Sequence, residues 1–183
     1  MSNFDVAVTQ AINGLVGKSP ALDLIMIWAS ALGVPILVLA VVLQWWRQDD
    51  RLHVRHILVA SGFSFLLGLG LNQIILLFID RVRPYDAGIT NLIIDRSVDP
   101  SFPSDHATAS AAIVATFLIF GLRRTGKLFL IPAFLIILSR VFVGTHYSSD
   151  VVGGISTGVT ATLIVRFLYK EGTPFDRLLT RIF

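Results

Sequence analysis

The chain has 183 residues, of which 54% are hydrophobic, with a mean hydropathy of +0.75 and a formal net charge of +3. A soluble domain of this length has too much surface to carry so much apolar sequence, so a soluble globular protein is excluded. The absence of cysteine excludes disulfides and thiolate chemistry, and the basic residues form no patch that would suit nucleic acid. The composition therefore predicts a membrane protein with several spans.

Five apolar segments, taken in chain order, are long enough to cross a bilayer, which needs about 20 residues per helix. The third segment is at the lower limit of length. The five segments are 21–46, 56–79, 106–122, 127–143 and 151–169.

The segment before the first span is different. Residues 4–17 alternate polar and apolar positions at helical spacing and are too short to span, which predicts an interfacial helix. A tilted sixth span is the alternative. The sequence thus predicts an all-α integral membrane bundle in a single domain over 1–183. Its parts are an N-terminal interfacial helix over 1–20, a transmembrane core over 21–169 and a cytoplasmic tail over 170–183.

Small residues recur at four-residue spacing in two of the spans, at Ala107, Ala111 and Ala115 and at Gly154 and Gly158. Small side chains let helix backbones approach closely in lipid. We therefore expect close helix packing within the bundle, with a homodimer face as the alternative.

Five spans place the loops alternately on two sides of the membrane. Ten of the fifteen lysine and arginine residues fall on the side that holds the C-terminal tail. The positive-inside rule places that side in the cytoplasm, and Trp45, Trp46 and Tyr169 lie at the same boundary, as interfacial aromatic residues do.

Polar residues on the opposite, exterior side are grouped at the ends of the spans. By topology, all of these segments reach the same face of the membrane. His53 and His56 are instead placed in a loop on the cytoplasmic side. The exterior groups are Asp80-Arg81-Val82-Arg83-Pro84, Phe102-Pro103-Ser104-Asp105-His106, Ser139-Arg140, and His146 with Asp150.

Several of these side chains suit a phosphate group. An arginine inside a span, such as Arg140, needs a partner and is a functional candidate by default. Guanidinium groups bind phosphate oxygens bidentately, so two or three arginines that converge on this face would suit an anion with several oxygens. Ser104 and the N–H groups at the start of the third span add donors where the helix dipole favours negative charge.

Other exterior side chains suit phosphoryl transfer. His146 and Asp150 are four residues apart and share a helix face. An aspartate that accepts the Nδ1 proton of a histidine fixes its tautomer and leaves Nε2 free to attack. A second histidine, His106, is placed to protonate a leaving oxygen. These are the parts of phosphoryl transfer through a phosphohistidine.

Three motifs resemble the type 2 phosphatidic acid phosphatase superfamily. Ser139-Arg140-x5-His146-x3-Asp150 is similar to its SRxxxxxHxxxD motif, Pro103-Ser104-Asp105-His106 to PSGH, and Arg83-Pro84 to the end of KxxxxxxRP. The resemblance implies an enzyme that needs no metal or other cofactor. It implies a phosphohistidine at His146, Asp150 as its orienting partner, His106 as general acid, and phosphate binding by Arg83, Ser104 and Arg140.

The sequence departs from these motifs at two positions. Leu76 stands where the first motif has its lysine, and Asp105 replaces the glycine of the second. Arg81 is a candidate for the missing phosphate-binding cation. Asp105 is a candidate either for the phosphate site or for a helix N-cap.

Asn72-Gln73-Ile74-Ile75 ahead of Arg83-Pro84, together with the Phe-Pro-Ser-Asp-His segment, resembles the bacitracin-resistance branch of the superfamily. The resemblance implies hydrolysis of undecaprenyl diphosphate, the bacterial carrier lipid, in the bacterial inner (plasma) membrane, with the site facing the periplasm or exterior. The alternatives are a phosphatidylglycerophosphate, phosphatidate or lipid A phosphatase and, in another class, a non-enzymatic lipid or ion transporter.

Overall fold

A computed structural model describes residues 3–181, and every regular element in this range is helical. The predicted all-α class is confirmed. A short 3-10 turn, Gln44–Trp46, follows the second helix. The α-helices are α1 (Asn3–Asn13), α2 (Pro20–Leu43), α3 (Arg51–Leu76), α4 (Asp105–Phe120), α5 (Arg123–Phe142), α6 (Ser148–Leu168) and α7 (Pro174–Thr180).

Four of the helices, α2, α3, α5 and α6, are long and apolar enough to cross a membrane. The shorter apolar helix α4 has 16 residues and is about 24 Å long at 1.5 Å per residue. Helix α1 has 11 residues and is about 16 Å long, which is too short for a hydrocarbon core of about 30 Å. The structure therefore has five core helices, with α1 as an accessory helix rather than a sixth span.

Helix α4 is the centre of the bundle, because α3, α5 and α6 all pack against it and twelve of its sixteen residues are buried. Its small residues allow this close packing. A Cβ at Gly154 would collide with the carbonyl oxygen of Ser104, and one at Gly158 with that of Thr108. The two glycines of α6 therefore serve packing within the chain, as expected, and do not form a free dimer face.

Large apolar side chains cover the outside of the bundle. Leu66, Ile131, Phe134 and Phe167 are each exposed over more than 60% of their surface. An exposed apolar surface of this extent is a membrane contact rather than a water-facing surface. It agrees with a helix bundle surrounded by acyl chains.

Helix α3 begins at Arg51, five residues before the predicted span. The loop position predicted for His53 and His56 is therefore wrong, because both lie on the helix. His56 is only 1% exposed, and its Nδ1 is 2.8 Å from the carboxylate of Asp176. His56 is buried because α7, a helix that was not predicted from the sequence, covers this part of α3.

Helix α7 lies within the predicted tail and docks onto α3. Asp176 accepts a hydrogen bond of 2.5 Å from the Tyr169 hydroxyl and one of 2.7 Å from the Gly172 N–H. Burial raises the pKa of the Asp176 carboxyl, but the hydrogen bonds from Tyr169, Gly172 and His56 outweigh this and hold the pKa below its usual range. The described part of the tail is therefore a structural element of the core.

The segment between α3 and α4, residues 77–104, is irregular but held in place. The Tyr85 hydroxyl donates to the Ser97 carbonyl at 2.8 Å, and the Ser101 N–H donates to the Arg81 carbonyl at 2.8 Å. The Ile93 N–H donates to the carbonyl of Val143, just after α5, at 3.3 Å. Long loops of this kind in compact domains are usually functional. Here the loop lies beside the turn that joins α5 to α6.

Candidate active site

The turn between α5 and α6 carries His146. Gly144 in this turn has a φ of 89°, and a Cβ there would lie 2.6 Å from the Asn91 carbonyl oxygen, so the turn requires glycine. The Thr145 hydroxyl donates to the Arg140 carbonyl at 2.9 Å. The turn places His146, which is 4% exposed, inside the bundle.

The orientation of the His146 ring is set by the backbone of Ser101. Its Nδ1 is 2.7 Å from the Ser101 carbonyl oxygen. A carbonyl only accepts hydrogen bonds, so Nδ1 carries the hydrogen and Nε2 keeps its lone pair. The nearer oxygen of Asp150 is 3.7 Å from Nδ1. The expectation that Asp150 accepts the Nδ1 proton is therefore corrected, because the Ser101 carbonyl takes that place.

Asp150 acts on the residues around the histidine. The carboxylate is fully buried and accepts hydrogen bonds from the Ser101 hydroxyl at 2.5 Å and from the Tyr147 N–H at 2.8 Å. It also binds Arg81 at 2.5 Å. Asp150 thus fixes Ser101, whose carbonyl orients His146, and lies close enough to offset positive charge on the ring.

The electrostatic surroundings favour the neutral form of His146. Burial lowers the pKa of the imidazole below its ordinary value, and the positive charges of Arg140 and Arg83 lower it further, while Asp150 acts in the opposite direction. A neutral ring with its lone pair on Nε2 is the nucleophilic form of histidine.

Arg83 lies beside the lone pair. It is 5% exposed, and its Nη1 is 3.5 Å from Nε2 of His146 and 3.0 Å from the Thr145 carbonyl oxygen. Its Nη2 pairs with the carboxylate of Asp99 at 3.1 Å, and the Asp99 side chain is 59% exposed. An exposed carboxylate thus occupies a donor of the arginine that is predicted to bind phosphate.

Arg140 and Ser104 supply donors without protein partners. Arg140 is 6% exposed and donates through Nη1 to the Ser30 hydroxyl. Within residues 3–181, its Nε and the Ser104 hydroxyl are buried and find no hydrogen-bond partner. Ser104 stands at the N-cap position of α4 but does not cap the helix with its side chain. Buried donors of this kind require an explanation, and a bound anion provides one.

His106 is brought to the same place by the first turn of α4. Its ring lies at the Ser30 backbone and within electrostatic range of Arg140, His146 and Arg83. The structure therefore gathers both predicted catalytic histidines and the predicted phosphate-binding arginines Arg83 and Arg140 around one point.

Asp105 and Asn72 join α3 to α4. The Asn72 amide donates to the Asp105 carboxylate at 2.6 Å and to the Thr108 hydroxyl at 2.9 Å. Because Ser104 occupies the N-cap position, the expectation that Asp105 caps α4 is wrong. Binding of phosphate by Asp105 stays a prediction.

Arg81 is engaged by carboxylates. Its Nη1 binds Asp150 and its Nη2 binds Asp5 at 2.7 Å, and its guanidinium lies 4.0 Å from the centre of the Tyr147 ring. Its role as a replacement for the lysine missing at Leu76 stays a prediction, since its present partners are negatively charged.

Sequence reasoning missed several residues of this site. The roles of Ser101 and Ser30 depend on contacts between distant segments, and no sequence signal indicates them. Asp5 was missed as well, although Asp5, Thr9 and Asn13 form a polar series at four-residue spacing that could have indicated a buried polar face.

Comparison with known proteins identifies the family of this chain. Residues 57–173 match the PAP2 superfamily. The chain is 31% identical over 180 residues to the undecaprenyl-diphosphatase BcrC of Bacillus subtilis (strain 168), covering 96% of this chain and 90% of that protein.

Two solved structures have a similar fold. One is the PAP2 type phosphatidylglycerolphosphate phosphatase from Bacillus subtilis, with a TM-score of 0.63 and 24% identity over 95% of this chain and 90% of that one. The other is LpxE of Aquifex aeolicus, with a TM-score of 0.67 and 20% identity over 91% of this chain and 96% of that one.

Proposed function

Because the chain belongs to the PAP2 superfamily and is a membrane lipid phosphatase, we propose that it hydrolyses undecaprenyl diphosphate to undecaprenyl phosphate and inorganic phosphate through a phosphohistidine at His146. The family resemblance of the sequence motifs is thereby confirmed. The observation that carries the mechanism is the fixed tautomer of His146, whose Nδ1 is held by the Ser101 carbonyl at 2.7 Å. The name of the Bacillus subtilis relative supports the choice of substrate.

The first step transfers the terminal phosphoryl group to the enzyme. The Nε2 lone pair of His146 attacks the terminal phosphorus, and the bond from that phosphorus to the bridging oxygen breaks. His106, as the imidazolium that the negative charge of the bound diphosphate favours, gives its proton to the bridging oxygen, which leaves with undecaprenyl phosphate. Arg140 and Arg83 offset the charge on the equatorial oxygens.

The second step regenerates the enzyme. A water molecule gives a proton to His106 while its oxygen attacks the phosphorus, and the bond from phosphorus to Nε2 breaks. The electron pair returns to His146, and inorganic phosphate leaves. During the cycle the positive charge on the phosphorylated ring is offset by Asp150, 3.7 Å from Nδ1.

The proposed phosphate site combines charge with unpaired donors. The Nε of Arg140 and the hydroxyl of Ser104 are buried and have no partner within the described chain. The site lies where the ends of α3, α4, α5 and α6 meet, so a lipid could present its headgroup while its tail stays beside the apolar outer faces. We assign this end to the exterior of a bacterial plasma membrane, because ten of the fifteen basic residues fall on the other side.

Competition between lipid phosphates tests the choice of substrate. Rates of phosphate release from undecaprenyl diphosphate, phosphatidylglycerophosphate, phosphatidate and lipid A would be measured with the purified protein in one detergent. We expect the highest kcat/KM for undecaprenyl diphosphate. A higher value for another lipid would overturn the substrate and keep the phosphatase, whereas transport that survives His146→Ala, without phosphate release from any lipid, would favour a transporter.

A further inference from the structure

The face that α1 turns toward the protein is polar. Asp5, Thr9 and Asn13 recur every four residues and are at most 7% exposed, whereas Phe4 is 78% exposed. An interfacial helix would turn its polar face to water. The polar face of α1 is instead buried, and buried polar groups in proteins have hydrogen-bond partners. The partners of these three side chains therefore indicate what the helix does.

One end of α1 holds the C-terminal end of α5. The Asn13 amide donates to the carbonyl oxygens of Phe142 at 2.7 Å and Asn91 at 2.9 Å. Its own oxygen accepts from the Asn91 N–H at 2.7 Å. Asn13 thus fixes the start of the turn that carries His146.

The other end of α1 holds the N-terminus of α6. One oxygen of Asp5 accepts from the Ser149 N–H at 2.9 Å and from the Ser148 hydroxyl at 2.8 Å, and the other accepts from the Ser149 hydroxyl at 2.6 Å. The Ser148 N–H donates to Thr9 at 3.0 Å. Helix α1 therefore bridges both ends of the turn.

Asp5 is also connected to the catalytic centre by ion pairs. Arg81 lies between two carboxylates, 2.7 Å from Asp5 and 2.5 Å from Asp150. Asp150 in turn accepts from the Ser101 hydroxyl, and the Ser101 carbonyl holds the ring of His146. One positive charge is thus shared by two acidic groups, of which one is on α1 and the other is beside the histidine.

We propose that Asp5 is a positioning residue of the active site, which with Arg81 sets the charge around Asp150 and thereby the basicity of His146. This inference rests on the proposed role of His146 as nucleophile. Removal of the Asp5 charge leaves Arg81 less compensated and disfavours a protonated His146. Removal of Arg81 has the opposite effect, because two carboxylates then face the ring. The other charged or titratable groups near the ring are Arg83, Arg140 and His106, and Asp105 and Asp99 lie within electrostatic range of Arg140.

The test is the pH dependence of kcat/KM for phosphate release from undecaprenyl diphosphate. Its acid limb reports groups of the free enzyme, and ionisation of the substrate is common to all variants. We expect Asp5→Asn to move the acid limb to lower pH and Arg81→Gln to move it to higher pH, each by about half a unit. The double variant is expected to return toward the wild-type position. Asp23→Asn, at the start of α2, is the matched control with no shift.

If Asp5 and Arg81 had only a structural role, their variants would have a lower kcat, but the acid limb of kcat/KM would not move in opposite directions. That result would overturn the proposal. If Asp5→Asn does not fold, the comparison of Arg81→Lys with Arg81→Gln tests the proposal instead. Lysine keeps the positive charge, so the acid limb of Arg81→Lys should stay at the wild-type pH. His146→Ala is measured alongside. Activity in that variant would overturn the proposed function, whereas an inactive His146→Ala with unmoved limbs in the other variants would overturn only this inference.

Discussion

The Nδ1 of His146 lies 2.7 Å from the carbonyl oxygen of Ser101, which is closer than any carboxylate oxygen of Asp150, the nearer of which is 3.7 Å away. A backbone acceptor fixes the ring without adding a charge at hydrogen-bond distance. Asp150 is left to hold Ser101 and Arg81 and to offset charge on the ring during reaction. Orientation of the ring is thus the function of Ser101, and compensation of its charge is the function of Asp150.

Ser101→Ala separates the orientation of the His146 ring from the contacts of Asp150. The substitution removes the hydroxyl that donates to Asp150 at 2.5 Å and keeps the carbonyl that holds His146. We expect kcat to fall roughly tenfold, the equivalent of about 1.4 kcal/mol for one lost hydrogen bond. Asp150→Ala should cost much more, because it also leaves Arg81 without this partner. Steady-state kinetics of both variants check this, and equal losses would contradict the division.

Ser104→Ala tests the phosphate site. The Ser104 hydroxyl is buried and has no partner within residues 3–181, so its loss should not lower thermal stability. We expect kcat/KM to fall by roughly 10- to 100-fold, as for a hydrogen bond to a charged group.

Ser110→Ala is the matched control for this variant, because the Ser110 hydroxyl, on the helix that Ser104 precedes, is equally buried and also lacks a partner in the described chain. It should leave kcat/KM unchanged. Similar losses in the two variants would mean that packing of α4, and not phosphate binding, is affected.

Asp99→Asn tests whether the Asp99 carboxylate competes with substrate. Asp99 pairs with Nη2 of Arg83 at 3.1 Å, although its own side chain is 59% exposed. A substrate phosphate that binds Arg83 must displace this carboxylate, so we expect KM to fall by a factor of about 2 to 5, in the range of a weak ion pair. Titration of initial rates with substrate measures it. A raised KM would instead show that Asp99 holds Arg83 in its binding position.

Much of this architecture could be predicted from the sequence. Apolar length alone gives the five core helices. The shared helix face predicted for His146 and Asp150 is wrong, because α6 begins at Ser148 and His146 lies in the turn before it, although the two side chains do come within 3.7 Å. The contacts of Ser101 could not be predicted, because they join the irregular segment 77–104 to a turn more than 40 residues away.

The roles of helices α1 and α7 could not be predicted from the sequence for a different reason. The segment of α1 was predicted to be peripheral because it is too short to span, and that of α7 was predicted to be part of a cytoplasmic tail. Buried polar contacts hold them instead, those of Asp5 to α6 and of Asp176 to α3. Hydropathy patterns do not report such contacts. The polar spacing on α1 was visible in the sequence, but only the structure shows that the polar face points inward.

The Asp5 contacts should make stability depend on pH. Burial raises the pKa of the Asp5 carboxyl, but hydrogen bonds from Ser149, Arg81 and Ser148 outweigh it and bring the pKa to about 2. Because the folded-state pKa is lowered from 3.8, this stabilisation is fully present above about pH 4 and is lost as pH falls toward 2. It amounts to at most about 2 kcal/mol.

Thermal unfolding in detergent between pH 2 and 5 checks this prediction. The difference in melting temperature between wild type and Asp5→Asn should shrink as the pH falls. A difference that stays constant over this range would show that the carboxylate charge contributes nothing.

Asp176→Asn should reduce stability without affecting catalysis. The carboxylate joins α7 to His56 at 2.8 Å and to Tyr169 at 2.5 Å, at the end of the bundle away from His146. Loss of these buried contacts should cost about 1–3 kcal/mol, seen as a lower melting temperature, with kcat at 25 °C kept. Asp49→Asn, whose side chain is 89% exposed, is the control. A large loss of kcat in folded Asp176→Asn would contradict this separation.

The most direct test of the account is phosphate release from undecaprenyl diphosphate by the purified protein in the presence of a chelator, compared between wild type, His146→Ala and His53→Ala. His53 lies on α3 and pairs with Glu171 in the C-terminal segment. We predict chelator-resistant release in wild type and His53→Ala and none in His146→Ala. Release that survives in His146→Ala would contradict the phosphohistidine at the centre of the mechanism.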